Sequence, residues 1–263
     1  MRMSALTASF RRLVVPKEHG SWSLAFEPVA LGLLVAPSIP GAALALAIAA
    51  AFFVRRPLKL ACASAPDDLR RTASALWTMT FALAALLALS YAVVRSGELS
   101  VFWPLLLAAP CGAAFLWFDL RNDMREAEAE LAGSGAFAVL PAAFASLAGW
   151  SIPASLGLAM LMLSRSVPTV LTVRAYLRVN KRQRVSRVLP IASACGAFAL
   201  CVALALREFI PVAALIVPAL LAARTIWFLA PFHPAWSAKR VGMLEGVLGL
   251  LSLALLAFAY RLT

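Results

Sequence analysis

Residues 73–94 read ASALWTMTFALAALLALSYAVV and contain no charged side chain. A helix needs about 20 predominantly apolar residues to cross the hydrocarbon core of a bilayer, and this stretch meets that length. Its alanines and leucines favour a helix, and it lacks the alternation of apolar and polar residues that marks a strand. We therefore predict a transmembrane helix over residues 73–94.

The same pattern recurs toward both ends of the chain. Further apolar stretches cover about residues 21–37, 41–54, 101–118, 131–150, 153–173, 188–206, 209–230 and 241–260. The 263-residue chain is 63% hydrophobic, whereas soluble domains are typically about 45–50% apolar. We predict an all-α integral membrane protein with about nine transmembrane helices in one bundle, a single polytopic domain over residues 1–263. The second stretch is short for a span unless it extends into the basic residues that follow it.

Positive charge alternates between the loops that join these stretches. If the N-terminus is cytoplasmic, 19 of the 24 lysines and arginines fall on the inner side and three on the outer side. Cytoplasmic loops of membrane proteins carry such an excess. The sequence thus predicts a multi-pass protein of the cell membrane with its N-terminus cytoplasmic and its C-terminus outside. The net charge of +12 then reflects orientation and contact with membrane lipid, and nucleic acid is not an expected partner.

Four ionisable residues interrupt the apolar stretches, namely Glu27, Arg165, Arg224 and Glu245. A charge that faces lipid is costly, so residues of this kind usually face a cavity or a partner. Two interpretations stay open. Either the four side chains bind a ligand, or they form structural ion pairs between helices, such as Arg224 with Glu245.

Basic residues near the ends of three stretches are candidates for binding an anion. They are Lys17 and His19 at the first stretch, Arg55, Arg56 and Lys59 at the end of the second, and Arg174 and Arg178 at the end of the sixth. A helix N-terminus offers free N–H donors, and the planar guanidinium of arginine suits phosphate. The same residues could instead be plain anchors that orient the helices.

The segment 119–130 differs in sign from the other inner loops. Asp119 and four further carboxylates outnumber its two arginines, and Asn122 lies among them. Asp119 and Asn122 are therefore further candidates for ligand binding. The acidic groups could hold a metal or could balance the basic loops. The four cysteines lack CxxC spacing and are interpreted as small core residues, so we assign no metal ligand.

Four motifs resemble the YwiC-like membrane proteins, a family without an established activity. They are PKEHGSW at 16–22, FLWFDLRNDMREAEAEL at 115–131, RAYLR at 174–178 and KRVGMLEG at 239–246. The heptad PKEHGSW is the most specific of them. The resemblance covers nearly the whole chain, and it implies an integral membrane protein.

The predicted topology is also similar to that of the UbiA superfamily of intramembrane prenyltransferases. That resemblance implies nine helices around a central cavity, with a polar active site open to the cytoplasm. In that superfamily, aspartate-rich motifs after the second and sixth helices bind Mg²⁺ and diphosphate. Here the segment 174–187 has six basic residues and no carboxylate. Because Mg²⁺ prefers oxygen ligands, we do not expect it to act in the usual UbiA manner.

These features lead to one functional hypothesis and two alternatives. We expect a UbiA-like bundle that binds or modifies an anionic amphiphile, with an isoprenoid or quinone-like lipid as the candidate ligand. We further expect His19, Glu27, Arg55, Arg174, Arg178 and Glu245 to converge on one cavity that faces the cytoplasm. The alternatives are a small-anion transporter, with a helix break at Arg165 and Pro168, and a non-catalytic membrane subunit. Whether the protein is an enzyme stays open.

Overall fold

A computed structural model describes residues 13–14, 19–63, 69–121, 123, 126–233 and 235–262. Within these ranges the chain is helical and contains no strand. Two 3₁₀ turns, Ser100–Phe102 and Val212–Leu215, precede the fourth and ninth helices. The helices are α1 His19–Val35, α2 Ile39–Ala63, α3 Leu69–Ser96, α4 Trp103–Leu120, α5 Ala127–Ala138, α6 Leu140–Leu147, α7 Ile152–Asn180, α8 Val188–Leu206, α9 Ile216–Phe228 and α10 Ala238–Ala259.

The helices correspond one by one to the predicted stretches, except that the fifth stretch holds both α5 and α6. The two are separated at Val139, two residues before Pro141. Proline has no N–H to donate to the preceding turn, which accounts for the break. Within the described residues seven helical segments are long and apolar enough to cross a membrane, Ala127–Leu147 among them. The prediction of an all-α integral membrane protein is confirmed.

The ends of two helices differ from the prediction. Helix α2 continues to Ala63, so Arg55, Arg56 and Lys59 lie on the helix and not in a loop after it. Helix α7 likewise continues to Asn180 and carries Arg174 and Arg178 in its last turns. Arginine and lysine are good helix formers whose long stems let the charge reach the membrane surface, so a helix need not stop where the apolar run does.

Helix α7 is also continuous through Pro168. The helix break predicted at Arg165 and Pro168 is therefore wrong. A proline inside a helix removes one hydrogen bond, but neighbouring helices in a membrane protein compensate for that loss.

The core lies where α1, α6, α7 and α10 meet. Leu31, Leu158, Leu161 and Leu256 are at most 1% exposed and belong to one apolar cluster. Small residues let these helices approach closely. A Cβ at Gly157 of α7, for example, would collide with the backbone carbonyl of Phe209. This tight packing brings the charged residues of four helices together.

Helix α3, in contrast, lies at the edge of the bundle with most of its surface exposed. It packs against α2 as an antiparallel neighbour, and most of its large apolar side chains are exposed, including Leu83, Leu86 and Leu87. An exposed apolar helix is expected where lipid replaces water as the solvent. The polar chemistry of the protein therefore lies elsewhere, in the packed part of the bundle.

Candidate functional site: a buried charge cluster

Two ion pairs lie inside the bundle and join four helices. Glu27 of α1 forms an ion pair with Arg165 of α7, with Oε2 and Nη2 2.5 Å apart. Oε2 of Glu245 on α10 accepts a hydrogen bond of 2.9 Å from Nη2 of Arg224 on α9. Thr169 joins the second ion pair to α7, the helix that also carries Arg165. Its Oγ1 accepts a hydrogen bond of 2.8 Å from Nη2 of Arg224. We call these five residues the buried charge cluster.

Helical spacing explains how α7 and α10 supply their parts of the cluster. Arg165 and Thr169 are four residues apart, and so are Glu245 and Gly249. Residues at i and i+4 lie on one face of a helix, one turn apart. Each helix therefore presents two consecutive turns to the cluster.

Gly249 of α10 lies directly beside the first ion pair. A Cβ at this position would collide with Oε1 of Glu27 and Nη2 of Arg165. The absence of a side chain lets the α10 backbone lie directly against both charged groups. A side chain at residue 249 would therefore displace the ion pair from its observed position.

The two ion pairs form one electrostatic unit. Arg165 repels Arg224 and attracts Glu245, and Glu27 repels Glu245. Two arginines and two glutamates give the unit a formal charge of zero. This balance matters because a lone charge in the membrane interior is costly, and each side chain here is at most 16% exposed.

Several polar atoms of the cluster have no hydrogen-bond partner among the described residues. They are Nε and Nη1 of Arg224, Nε of Arg165 and Oε1 of Glu245. The residue Arg224 is only 6% exposed. A buried polar group without a partner costs about 1–3 kcal/mol, so such atoms mark places where a ligand or water is stabilised. The cluster offers three donor nitrogens and one carboxylate oxygen to a bound group.

A second ion cluster joins α2 to the end of α4. The carboxylate of Asp119 accepts a hydrogen bond of 2.9 Å from Nε of Arg55 and one of 3.4 Å from Nζ of Lys59. The guanidinium of Arg55 also lies 4.6 Å from the centre of the Phe115 ring, a cation–π contact. Asp119 is 6% exposed. Its carboxylate is engaged by two cations, which fits the interpretation that acidic residues here balance basic ones.

The other predicted site residues that the structure describes lie on α2 and on the last turns of α7. Arg174 pairs with Glu130 of α5 at 3.0 Å, in a partly exposed contact. Arg178 is exposed one turn further along α7, and Arg56 is partly buried on α2. His19 is the first residue of α1, but the structure does not describe its side chain. Lys17 and Asn122 lie outside the described residues.

The expected convergence on one cavity is therefore not what the described contacts show. Glu27 and Glu245 come together through their arginine partners, whereas Arg55 and Arg174 form separate ion pairs. The structural ion pair of Arg224 with Glu245 is present as considered from the sequence. Within the described ranges, no group of three or more histidines, cysteines or acidic residues could hold a metal ion.

Sequence reasoning missed Thr169 and Gly249, as well as a threonine contact beside the cluster. Thr172 and Thr225 are buried and bring their hydroxyl oxygens within 3.1 Å of each other. The available signal was the spacing of Thr169 and Thr172 from Arg165, which places all three on one face of α7. Small polar residues and glycine are common in membrane helices, so this signal alone does not single them out.

The fold and the buried charge cluster define a multi-pass α-helical membrane protein with charges from α1, α7, α9 and α10 paired in its interior. Residues 15–145 match the family described as YwiC-like protein, so the predicted resemblance is confirmed over this segment. Of the cluster only Glu27 falls inside the matched segment. No curated protein and no solved structure matches the chain.

Proposed function

We propose that the buried charge cluster binds the anionic headgroup of an amphiphile, with a prenyl or quinone-type lipid as the candidate. The observation that carries this proposal is Arg224. Its side chain is 5% exposed and bonds Glu245 and Thr169 through one nitrogen, which leaves Nε and Nη1 as donors. Because Nη2 belongs to both forked edges of the guanidinium, Nε and Nη1 point to different sides, and each can donate a charge-assisted hydrogen bond to a different oxygen of an anionic head.

The surroundings of Arg224 favour a headgroup over a simple inorganic anion. Oε1 of Glu245 is an acceptor and would repel a fully ionised oxygen, but it can bind an O–H group. A head that carries both anionic oxygens and a hydroxyl satisfies both kinds of atom. The apolar helices around the cluster suit a lipid tail. The nine predicted spans and their similarity to the UbiA topology support the same class of ligand.

The proposal predicts that Arg224→Lys lowers retention of the ligand about tenfold or more, because lysine keeps the charge but has a single nitrogen and cannot bond Glu245 and donate from two further nitrogens at once. A hydrogen bond to a charged group contributes about 1.5–3 kcal/mol, which corresponds to at least that factor. The measurement is mass spectrometry of small molecules retained by gently purified protein. Chelation with EDTA should leave retention unchanged.

Arg207→Lys is the matched control, because Arg207 is exposed at the end of α8 and the same substitution there lies outside the cluster. Equal retention by Arg224→Lys, Arg207→Lys and the unaltered protein would contradict the assignment to Arg224. Loss of the ligand with EDTA and its return with Mg²⁺ would instead indicate a metal site. A thermal unfolding curve for each variant separates lost binding from lost folding.

A second candidate function is transport of a small anion. Glu27 and Arg165 lie near the middle of α1 and α7, and the substrate sites of many transporters lie near the bilayer midplane. Uptake of a labelled anion by proteoliposomes that contain the purified protein distinguishes transport from lipid binding. Transport without any retained lipid would favour this alternative.

We also infer that the N-terminus is cytoplasmic and the C-terminus outside. The 19 inner and three outer basic residues support this orientation. Cys62 is exposed near the end of α2, and Glu98 is exposed between α3 and α4. A membrane-impermeant maleimide added to intact cells should label Glu98→Cys and spare Cys62. Labelling of Cys62 alone would show the opposite orientation.

A further inference from the structure

An apolar groove with a basic mouth lies along the first turns of α10. Trp236, Arg240, Met243, Leu244 and Val247 line it, around a volume of about 390 Å³. The four residues on α10 follow the i, i+3, i+4, i+7 spacing of one helix face. Arg240 lies at the start of α10, and Val247 lies about two turns further along. The groove therefore has a charged end and an apolar end.

The wall formed by Trp236 is held in place from two sides. Its backbone N–H donates to the hydroxyl of Tyr176 at 2.9 Å, and its carbonyl accepts Nδ2 of Asn180 at 3.1 Å. Its indole ring contacts the rings of Trp227 and His233, with centroid distances of 5.6 and 5.0 Å. The Trp236 wall is thus fixed in place before a ligand binds, which lowers the entropic cost of binding against it.

The groove faces away from the buried charge cluster. Met243 and Val247 are 57% and 61% exposed, whereas Gly249 and Leu248 on the other side of α10 are buried. Glu245 is on that buried side and contacts Arg224. In a membrane the exposed side of α10 meets lipid. The groove is a separate site, and it does not depend on what the cluster binds.

Two basic segments of the chain, 174–187 and 231–244, meet at the apolar cluster beside the groove. Trp236 and Leu244 pack in one apolar cluster with Leu177 and Val185, so the segment that follows α7 borders the groove. Neither 174–187 nor 231–244 contains an acidic residue. The exposed cations in these two segments are Arg178, Lys181, Arg182, Arg184, Lys239 and Arg240.

We propose that this groove binds an anionic phospholipid, with its phosphate on Arg240 and Lys239 and one acyl chain along Met243 and Val247. The positive charge complements a phosphate, and clusters of basic residues at a membrane surface attract anionic lipids. Tryptophan is enriched at the interface where headgroups meet acyl chains, as Trp236 is placed here. An acidic protein partner would use the cations but not the lipid-facing apolar end.

The test is thermal unfolding of the purified protein in detergent with added phosphatidylglycerol or phosphatidylcholine. A ligand that binds the folded state raises the unfolding temperature. We expect phosphatidylglycerol to raise it more than phosphatidylcholine does. Arg240→Gln should weaken phosphatidylglycerol binding about tenfold or more, because a charge-assisted contact to phosphate is lost. Arg207→Gln is the matched control, an exposed arginine at the end of α8.

A second variant tests the apolar end. Val247→Trp fills the groove from an exposed position, so it should reduce the effect of phosphatidylglycerol without lowering stability in detergent alone. Equal effects of the two lipids, or equal losses in Arg240→Gln and Arg207→Gln, would overturn the proposal. An unchanged response in Val247→Trp would overturn the acyl-chain part. An equal shift with soluble polyglutamate would point to an acidic protein instead.

Discussion

Replacing Glu245 by alanine is expected to lower the free energy of unfolding by about 3–5 kcal/mol, the usual cost of removing one partner of a buried ion pair. The variant leaves Arg224, whose side chain is 5% exposed, with Thr169 as its remaining hydrogen-bond partner of those described. The guanidinium cannot escape by losing its proton, because arginine stays charged in proteins. Unfolding of purified protein in detergent, with temperature or denaturant, measures the loss.

Glu130→Ala is the matched control, because it removes the partner of Arg174 from a contact in which Glu130 is 39% exposed. Exposed ion pairs contribute about 0.2–1 kcal/mol, so this variant should unfold close to the unaltered protein. The double variant Arg224→Met, Glu245→Met should recover much of the loss, since it removes both charges. If Glu245→Ala and Glu130→Ala were equally stable, Glu245 would not be needed to stabilise the buried charge of Arg224.

The second large effect is expected at Gly249. Alanine there would place a methyl group against the carboxylate of Glu27 and the guanidinium of Arg165, so the ion pair must shift or part. Forcing one extra carbon into a packed site typically costs about 1–3 kcal/mol. The unfolding temperature of Gly249→Ala should therefore fall.

Gly246→Ala lies in the same helix, and a Cβ at that position meets open space. Replacing glycine by alanine inside a helix gains about 0.5–1 kcal/mol when nothing obstructs the methyl group. The two variants should thus change stability in opposite directions. A gain in both would mean that Glu27 and Arg165 do not lie against α10.

The nine apolar stretches could be predicted from sequence because bilayer thickness fixes the length of an apolar helix. The ends of α2 and α7 could not, since Lys59 and Arg178 continue a helix as readily as they end one. The sequence predicts the pairing of Arg224 with Glu245 as one of two alternatives, because opposite charges inside a membrane are stabilised by contact with each other.

Other parts of the site depend on which helices are neighbours. The partner of Arg165 on α1, and that of Arg55 on α4, follow from packing between segments far apart in sequence. Helical periodicity gives the face of each helix but not the helix it meets. Gly249 is a further case, because its role depends on a close approach that leaves no pattern in the sequence.

The zero net charge of the buried charge cluster has an electrical consequence. Moving one elementary charge across a membrane potential of 100 mV changes its electrical free energy by about 2.3 kcal/mol. Arg165 and Arg224 each lie beside a glutamate, so any displacement of the cluster as a unit carries no net charge through the field. Two arginines thus occupy the membrane interior without acting as gating charges, and only an ion that arrives from outside the cluster couples it to the voltage.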